Sequence, residues 1–259
     1  MVTAGGPATW ADLDRELDAW GDLGRTVPLW WRDDDAVAAT PALARLQQVS
    51  GDGGAPLCLA VIPAAMTEDL APALAAHVRV VPHGFAHRNN AGPKAKKAEF
   101  GADRPLPVMA AEVAEGWQRI RERFAARARP VFVPPWNRVT ETLLPHLRHA
   151  GLTGLSAKGP RAIPRVTGIT VRDVAIDIID WRGGRRFLGT GAVLGERVGG
   201  LRARRLGEID ADQGPLGILT HHLVHDDEAW DFLAALCRHL AGSGVVRWQD
   251  VDAVFATAG

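Results

Sequence analysis

Two kinds of apolar run alternate along this chain of 259 residues. One kind recurs every three or four positions and predicts helices with an apolar stripe toward a core. Leu13, Leu17 and Trp20 give such a stripe over Trp10 to Gly21, with Thr9 placed to cap it and Asp12 three residues on. Leu43, Leu46 and Val49 give a second, from about Pro41, a residue suited to a first helical turn, to the stop at Gly51-Asp52-Gly53-Gly54. Met66 to Ala76, Met109 to Ala126, Thr140 to Ala150, Val193 to Arg205 and Trp230 to Ala241 also read as helices, the Val193 segment despite Gly195, Gly199 and Gly200. The other kind of run is short and continuous, and predicts buried strands: Val27 to Arg32, Pro56 to Ile62, Val78 to Val81, Val131 to Val133, Leu152 to Ala157, Val174 to Ile179 and Gly217 to Thr220. Arg88 to Pro107 is polar and rich in Gly and Pro, a long loop, and Val246 to Phe255 closes the chain.

Strand and helix alternate at short spacing throughout. That order implies a mainly parallel sheet with right-handed crossovers. The predicted fold is α/β, a single (β/α) barrel over residues 1–259 with room for fewer than eight regular strands.

Composition narrows the partners. Lys plus Arg and Asp plus Glu are 30 each, which removes the electrostatic case for nucleic acid. Lys94, Lys96 and Lys97 form a small cluster that reads as a solvated loop. No stretch reaches the length of a membrane span, and Met1 to Trp20 lacks the basic start and apolar run of a signal peptide. Cys58 and Cys237 lie in apolar segments and read as small core residues, so a reducing, cytoplasmic setting is expected. Nine tryptophans stand against no tyrosine, and several adjoin the polar residues considered next.

His83-Gly84-Phe85-Ala86-His87 follows the strand-like run that ends at Pro82, and Asp33-Asp34-Asp35 follows the run Val27 to Arg32. In parallel α/β folds the C-terminal ends of strands are where sites are built. Two imidazoles and a carboxylate form a ligand set suited to a divalent transition metal, Zn foremost, with Co, Ni or Mn as alternatives. Histidines at i and i+4 reach one point if the segment makes one helical turn. A second carboxylate beside such an ion is placed to act as general base on water, and the chemistry indicated is hydrolysis.

Further segments line up at strand ends: Phe132-Val133-Pro134-Pro135-Trp136-Asn137, Ile176-Asp177-Ile178-Ile179-Asp180-Trp181 and Ile218-Leu219-Thr220-His221-His222. Taken in order with the aspartates and the histidine pair, they resemble the motifs of the polysaccharide deacetylase family, metal-dependent enzymes on a distorted (β/α) barrel. The resemblance spans about Val27 to His225. It implies that His83, His87 and one aspartate hold the metal, that the neighbouring aspartate activates water, and that His221 protonates the leaving amine with Asp180 tuning it by charge. It also implies an acyl pocket walled by Trp136 and Trp181, with Asn137 at its edge, and a backbone N–H near Trp136 for the oxyanion. The substrate would be an N-acylated sugar, as small molecule or oligosaccharide, or a related amide.

The chain departs from the family pattern in places. The aspartate motif is a triplet, the glycine expected after the pair is absent, and Val133 stands where an arginine is expected before Pro134. Arg32 can supply that charge from the first strand, as a substrate-binding residue of the site. Alternation then puts Trp30, Arg32 and Asp34 inside the barrel, with Val27, Leu29 and Trp31 toward the helices, which makes Asp34 the base and Asp35 the ligand. The other register, with Asp33 as base and Asp34 as ligand, turns Arg32 into the helix layer at a cost. These departures leave room for a non-catalytic carbohydrate-binding relative, or a metal hydrolase of a small non-sugar amide. At most one or two of His221, His222 and His225 can face the mouth of the barrel.

Overall fold

The computed structural model describes residues 6–159, 167–209 and 214–256. Its centre is β1 (Val27–Ala36), a parallel neighbour of β2 (Leu57–Val61) on one side and β10 (Leu216–Thr220) on the other. β3 (Val78–Pro82) extends the sheet past β2, and β7 (Ile176–Asp177) extends it past β10. β4 (Val131–Phe132) and β5 (Gly154–Leu155) pair in parallel with each other, and β6 (Thr170–Val171) adds to them. Isolated parallel bridges join the two sheets at both ends: Val80 with Ala128 and His83 with Val133 next to β3, and Lys158 with Val174 ahead of β7. The ring β1, β2, β3, β4, β5, β7, β10 therefore closes as a distorted barrel of seven parallel strands among the described residues.

Period-two alternation along β1 separates two cores. Val27, Leu29 and Trp31 pack with the helix layer, whereas Trp30 joins Cys58, Ala60, Val81, Val131, Val133, Val174 and Leu219 inside the barrel. Val251 and Val254 of the terminal helix α7 (Val251–Val254) join that inner cluster, with Phe255 packed against it and edge-on to Trp30. The lower end of the barrel is thus filled by side chains.

Local chemistry accounts for the helix starts. In α1 (Trp10–Gly21) the Thr9 side chain accepts from the Asp12 amide and the Asp12 carboxylate accepts from the Thr9 amide, a reciprocal cap. α2 (Pro41–Asp52) opens on a proline behind a Thr40 cap, and α6 (Asp227–Ala241) is capped by Asp226. α3 (Leu106–Phe124), α4 (Leu144–His149) and α5 (Thr190–Arg205) complete the layer. Cys58 and Cys237 are buried free thiols, and no described helix is long and apolar enough to cross a membrane.

Two sequence expectations fail here. Met66 to Ala76 is a string of turns, with Ala73 N–H to Leu70 O at 3.2 Å and Leu74 N–H to Ala71 O at 3.4 Å. Pro72 has no N–H to give and its ring obstructs a helix, so the apolar spacing closes short turns. The run Val174 to Ile179 is two strands. After β7 the chain breaks into β8 (Ile179–Asp180), which pairs antiparallel with β9 (Arg186–Phe187) as a hairpin above the ring.

Candidate active site

β1 delivers the acids. Arg32 is fully buried inside the barrel, where Nε and Nη2 donate to the two oxygens of Asp34 at 2.9 and 3.0 Å. Nη1 donates to Ser156 Oγ at 2.5 Å and Nη2 also reaches Asn137 Oδ1 at 3.3 Å. The fork geometry of the guanidinium fixes the orientation of Asp34. In place of the substrate-binding role expected of it, the Arg32 guanidinium is turned inward onto Asp34, Ser156 and Asn137. Its positive charge enters the barrel from β1 beside Asp34.

Alternation then breaks at Asp35. Its φ is 73°, and the β1–β2 register shifts between Asp33 and Ala36. An irregularity of this kind re-aims a side chain. Without it Asp35 would follow Asp33 toward the helices; with it, Asp35 Oδ1 lies 3.1 Å from His83 Nε2 and 3.2 Å from His87 Nε2.

The histidines reach that point by a route the spacing did not predict. The segment is a loop, not a helical turn, with Gly84 at φ 60° and His87 at φ 52°. Glu99, which sequence reading passed over inside the long loop, organises it. Its carboxylate is buried and accepts from the amides of Phe85 at 3.1 Å and Ala86 at 2.7 Å. Burial raises the Glu99 pKa against the lowering effect of those amides. The only sequence signal was an acid beside apolar Phe100 in an otherwise basic stretch.

His83 Nδ1 donates to Val133 O at 3.0 Å, which fixes the ring with Nε2 toward Asp35. Burial and His83 both hold His87 below the usual imidazole range. Burial disfavours charge on Asp35, but His83, His221 and His87 outweigh it and its pKa falls well below the ordinary carboxylate value. Asp35 Oδ1 is buried and faces both Nε2 atoms. Asp35, His83 and His87 each offer one ligand atom, all within 4.8 Å of one another. One carboxylate oxygen converging with two imidazole nitrogens is a donor set that fits a divalent ion.

The rest of the mouth is aromatic. The Trp136 ring lies 4.4 Å from that of His87, and the Trp181 ring 4.6 Å from that of His221. Six described non-glycine residues have positive φ, and four of them are Asp35, His87, Trp136 and Asn137. Strain gathered in one place marks it as functional.

Asp180 does not sit where sequence reading put it. Its Oδ1 accepts from the amides of Arg182 at 3.0 Å and Gly183 at 2.8 Å, which lower its pKa. The β8–β9 hairpin makes it a corner residue, and His221 Nδ1 has no hydrogen-bond partner. The buried acid of that segment is Asp177, whose Oδ2 accepts from Trp181 Nε1 at 2.9 Å. His222 and His225 lie on the helix side of the sheet, His222 against Asp33 and His225 with its ring 4.5 Å from that of Trp230.

No sequence family model matches the chain, and no curated protein matches it in sequence. Solved structures do match. A candidate polysaccharide deacetylase from Mycobacterium smegmatis is 16% identical, with 98% of this chain and 93% of that one covered and a TM-score of 0.60. The Bc1960 peptidoglycan N-acetylglucosamine deacetylase, bound to an N-hydroxybenzamide, is 12% identical over 93% and 97%, with a TM-score of 0.55. A mutant of the family 4 carbohydrate esterase pseudoenzyme BA3943, with restored activity, is 11% identical over 90% and 68%, with a TM-score of 0.58. The chain has the polysaccharide deacetylase fold.

Proposed function

We propose that this protein is a metal-dependent hydrolase that removes an acyl group, acetyl foremost, from the nitrogen of an N-acylated sugar or related amide. The observation that carries the reading is the convergence of Asp35, His83 and His87 beside an Asp34 held by Arg32.

Asp35 and the two Nε2 atoms would hold the ion, with Val133 O and Glu99 steadying the histidines from behind. A divalent cation there would supply Lewis acidity for the amide carbonyl and for water. Asp34 would act as the base: Arg32 donates once to each of its oxygens, and a carboxylate oxygen has a second lone pair to take a proton from attacking water. His221 would give a proton to the departing nitrogen, since its ring lies at the mouth against Trp181. The Trp136 and Trp181 rings would wall the acyl group and exclude water around it. The substrate class follows from the fold likeness to sugar deacetylases, and the residues themselves supply amide hydrolysis.

The fold also hosts a pseudoenzyme, so competence rests on the residues. A panel of N-acetylglucosamine oligomers, O-acetylated sugar and a simple N-alkylacetamide tests this. Acetate release from the N-acetyl sugars, lost in Asp34→Asn with the metal retained, is expected. Turnover of the acetamide alone would replace the sugar with a small amide. No turnover by metal-loaded protein would leave a binding protein.

A further inference from the structure

Asp33 is the aspartate of the triplet that faces the helix side, and it is fully buried. Its Oδ2 accepts from Thr220 Oγ at 2.6 Å and from the backbone N–H of His222 at 3.0 Å. Its Oδ1 lies 2.5 Å from His222 Nδ1. Trp31 Nε1 donates to Thr220 Oγ at 2.8 Å, tying the same hydroxyl to β1. Thr220 and His222 are the two chain neighbours of His221. A single carboxylate thus grips the residues on both sides of it.

The His221 carbonyl accepts from the Val224 N–H at 2.9 Å, and its side chain is held by little. It leaves the strand with φ −142° and ψ 85°, its Nδ1 has no hydrogen-bond partner, and its ring meets the face or edge of Trp181 alone among aromatic neighbours in the described residues. Successive residues of an extended segment point to opposite sides. Anchoring residues 220 and 222 on the helix side therefore drives residue 221 to the barrel side. Charge-assisted bonds to a buried carboxylate are the strong kind, and all of these are shielded from water.

We propose that Asp33 is a positioning residue, which aims His221 into the barrel mouth by clamping Thr220 and His222. This rests on the reading above that His221 is the proton donor. The first position of the triplet is then neither base nor ligand, and it serves the opposite wall of the site from across the sheet. A reacting group displaced by about 1 Å can lose about 100-fold in rate, so the clamp has a catalytic consequence without touching substrate.

The test is a double-mutant cycle between Asp33→Asn and His221→Ala, with kcat, KM and metal content measured for each. Asp33→Asn is expected to lower kcat about 10- to 100-fold in the otherwise native protein, with KM and bound metal unchanged. In the His221→Ala background the same change should cost less than about 2-fold. An equal loss in both backgrounds, or loss of the ion, would overturn the proposal and leave Asp33 a general structural group. Thr220→Val removes one anchor with little change of volume. It should show the same pattern with a smaller loss, and it serves if Asp33→Asn does not fold. If the native protein turns over no substrate, the functional reading fails. The crystal structure of the variant then decides the clamp: loss of the 4.6 Å ring contact of His221 with Trp181 supports it, and its retention overturns it.

Discussion

Replacing Arg32 by methionine would leave Asp34 inside the barrel with no cation. Both side chains are essentially sealed from solvent, at 0% and 2% exposure. Methionine fills much of the volume of the arginine stem, so the loss is chiefly of the two N–H···O bonds at 2.9 and 3.0 Å and of the charge that balances Asp34. Removing one partner of a buried ion pair costs about 3–5 kcal/mol, because the survivor is left uncompensated. For a chain of this size that lowers Tm by about 6–20 °C. Adding Asp34→Asn removes the stranded charge, so the double variant should recover about 2 kcal/mol relative to Arg32→Met alone. Urea unfolding at neutral pH, followed by far-ultraviolet circular dichroism, reads both numbers. A loss below about 1 kcal/mol, or a double variant less stable than Arg32→Met, would refute the assignment of Arg32 as the counter-ion of Asp34.

Gly84→Ala should lower metal affinity at least about 10-fold in a competition titration, because the residue has φ 60° and a Cβ there would fall 2.2 Å from Glu99 Oε2 and 2.5 Å from the Pro135 ring. Unchanged affinity would show that the loop reaches the ion by another path. His222 is expected to impose a pH dependence on stability. Burial opposes its charge, but Asp33 prevails and holds its pKa above the ordinary 6.5. The folded state then keeps a proton that the unfolded state releases, so the contribution is complete below about pH 6.5 and is lost as pH rises through the folded value. The stability gap between the native protein and His222→Gln should therefore narrow from pH 6 to pH 9 in urea titrations. A gap that is constant with pH would contradict a charged His222.

The barrel was legible because its strands are short apolar runs in regular alternation with helices, a pattern set by burial on both faces of a parallel sheet. Alternation along β1 was enough to place Trp30, Arg32 and Asp34 inside, though not to show that the arginine grips the acid two residues on. It was not enough for Asp35, whose placement depends on a single residue with φ 73° that no period announces. Glu99 was missed for a related reason. Its role is to accept backbone amides from a loop, and such a role leaves no spacing to read. Asp180 was misplaced because Asp-Trp at a strand end looks alike whether the strand continues or folds back into a hairpin. Met66 to Ala76 carried helical spacing, and Pro72 overruled it.

Acetate release by metal-loaded protein, measured beside His83→Ala, tests the central claim most directly. The imidazole of His83 is anchored by Val133 O and faces Asp35 Oδ1 at 3.1 Å, so its removal takes away one of the three converging ligand atoms. The account predicts about one divalent ion per chain and steady acetate release from an N-acetylglucosamine oligomer in the native protein, with both lost together in the variant. Acetate release that persists in His83→Ala after the ion is gone would contradict it.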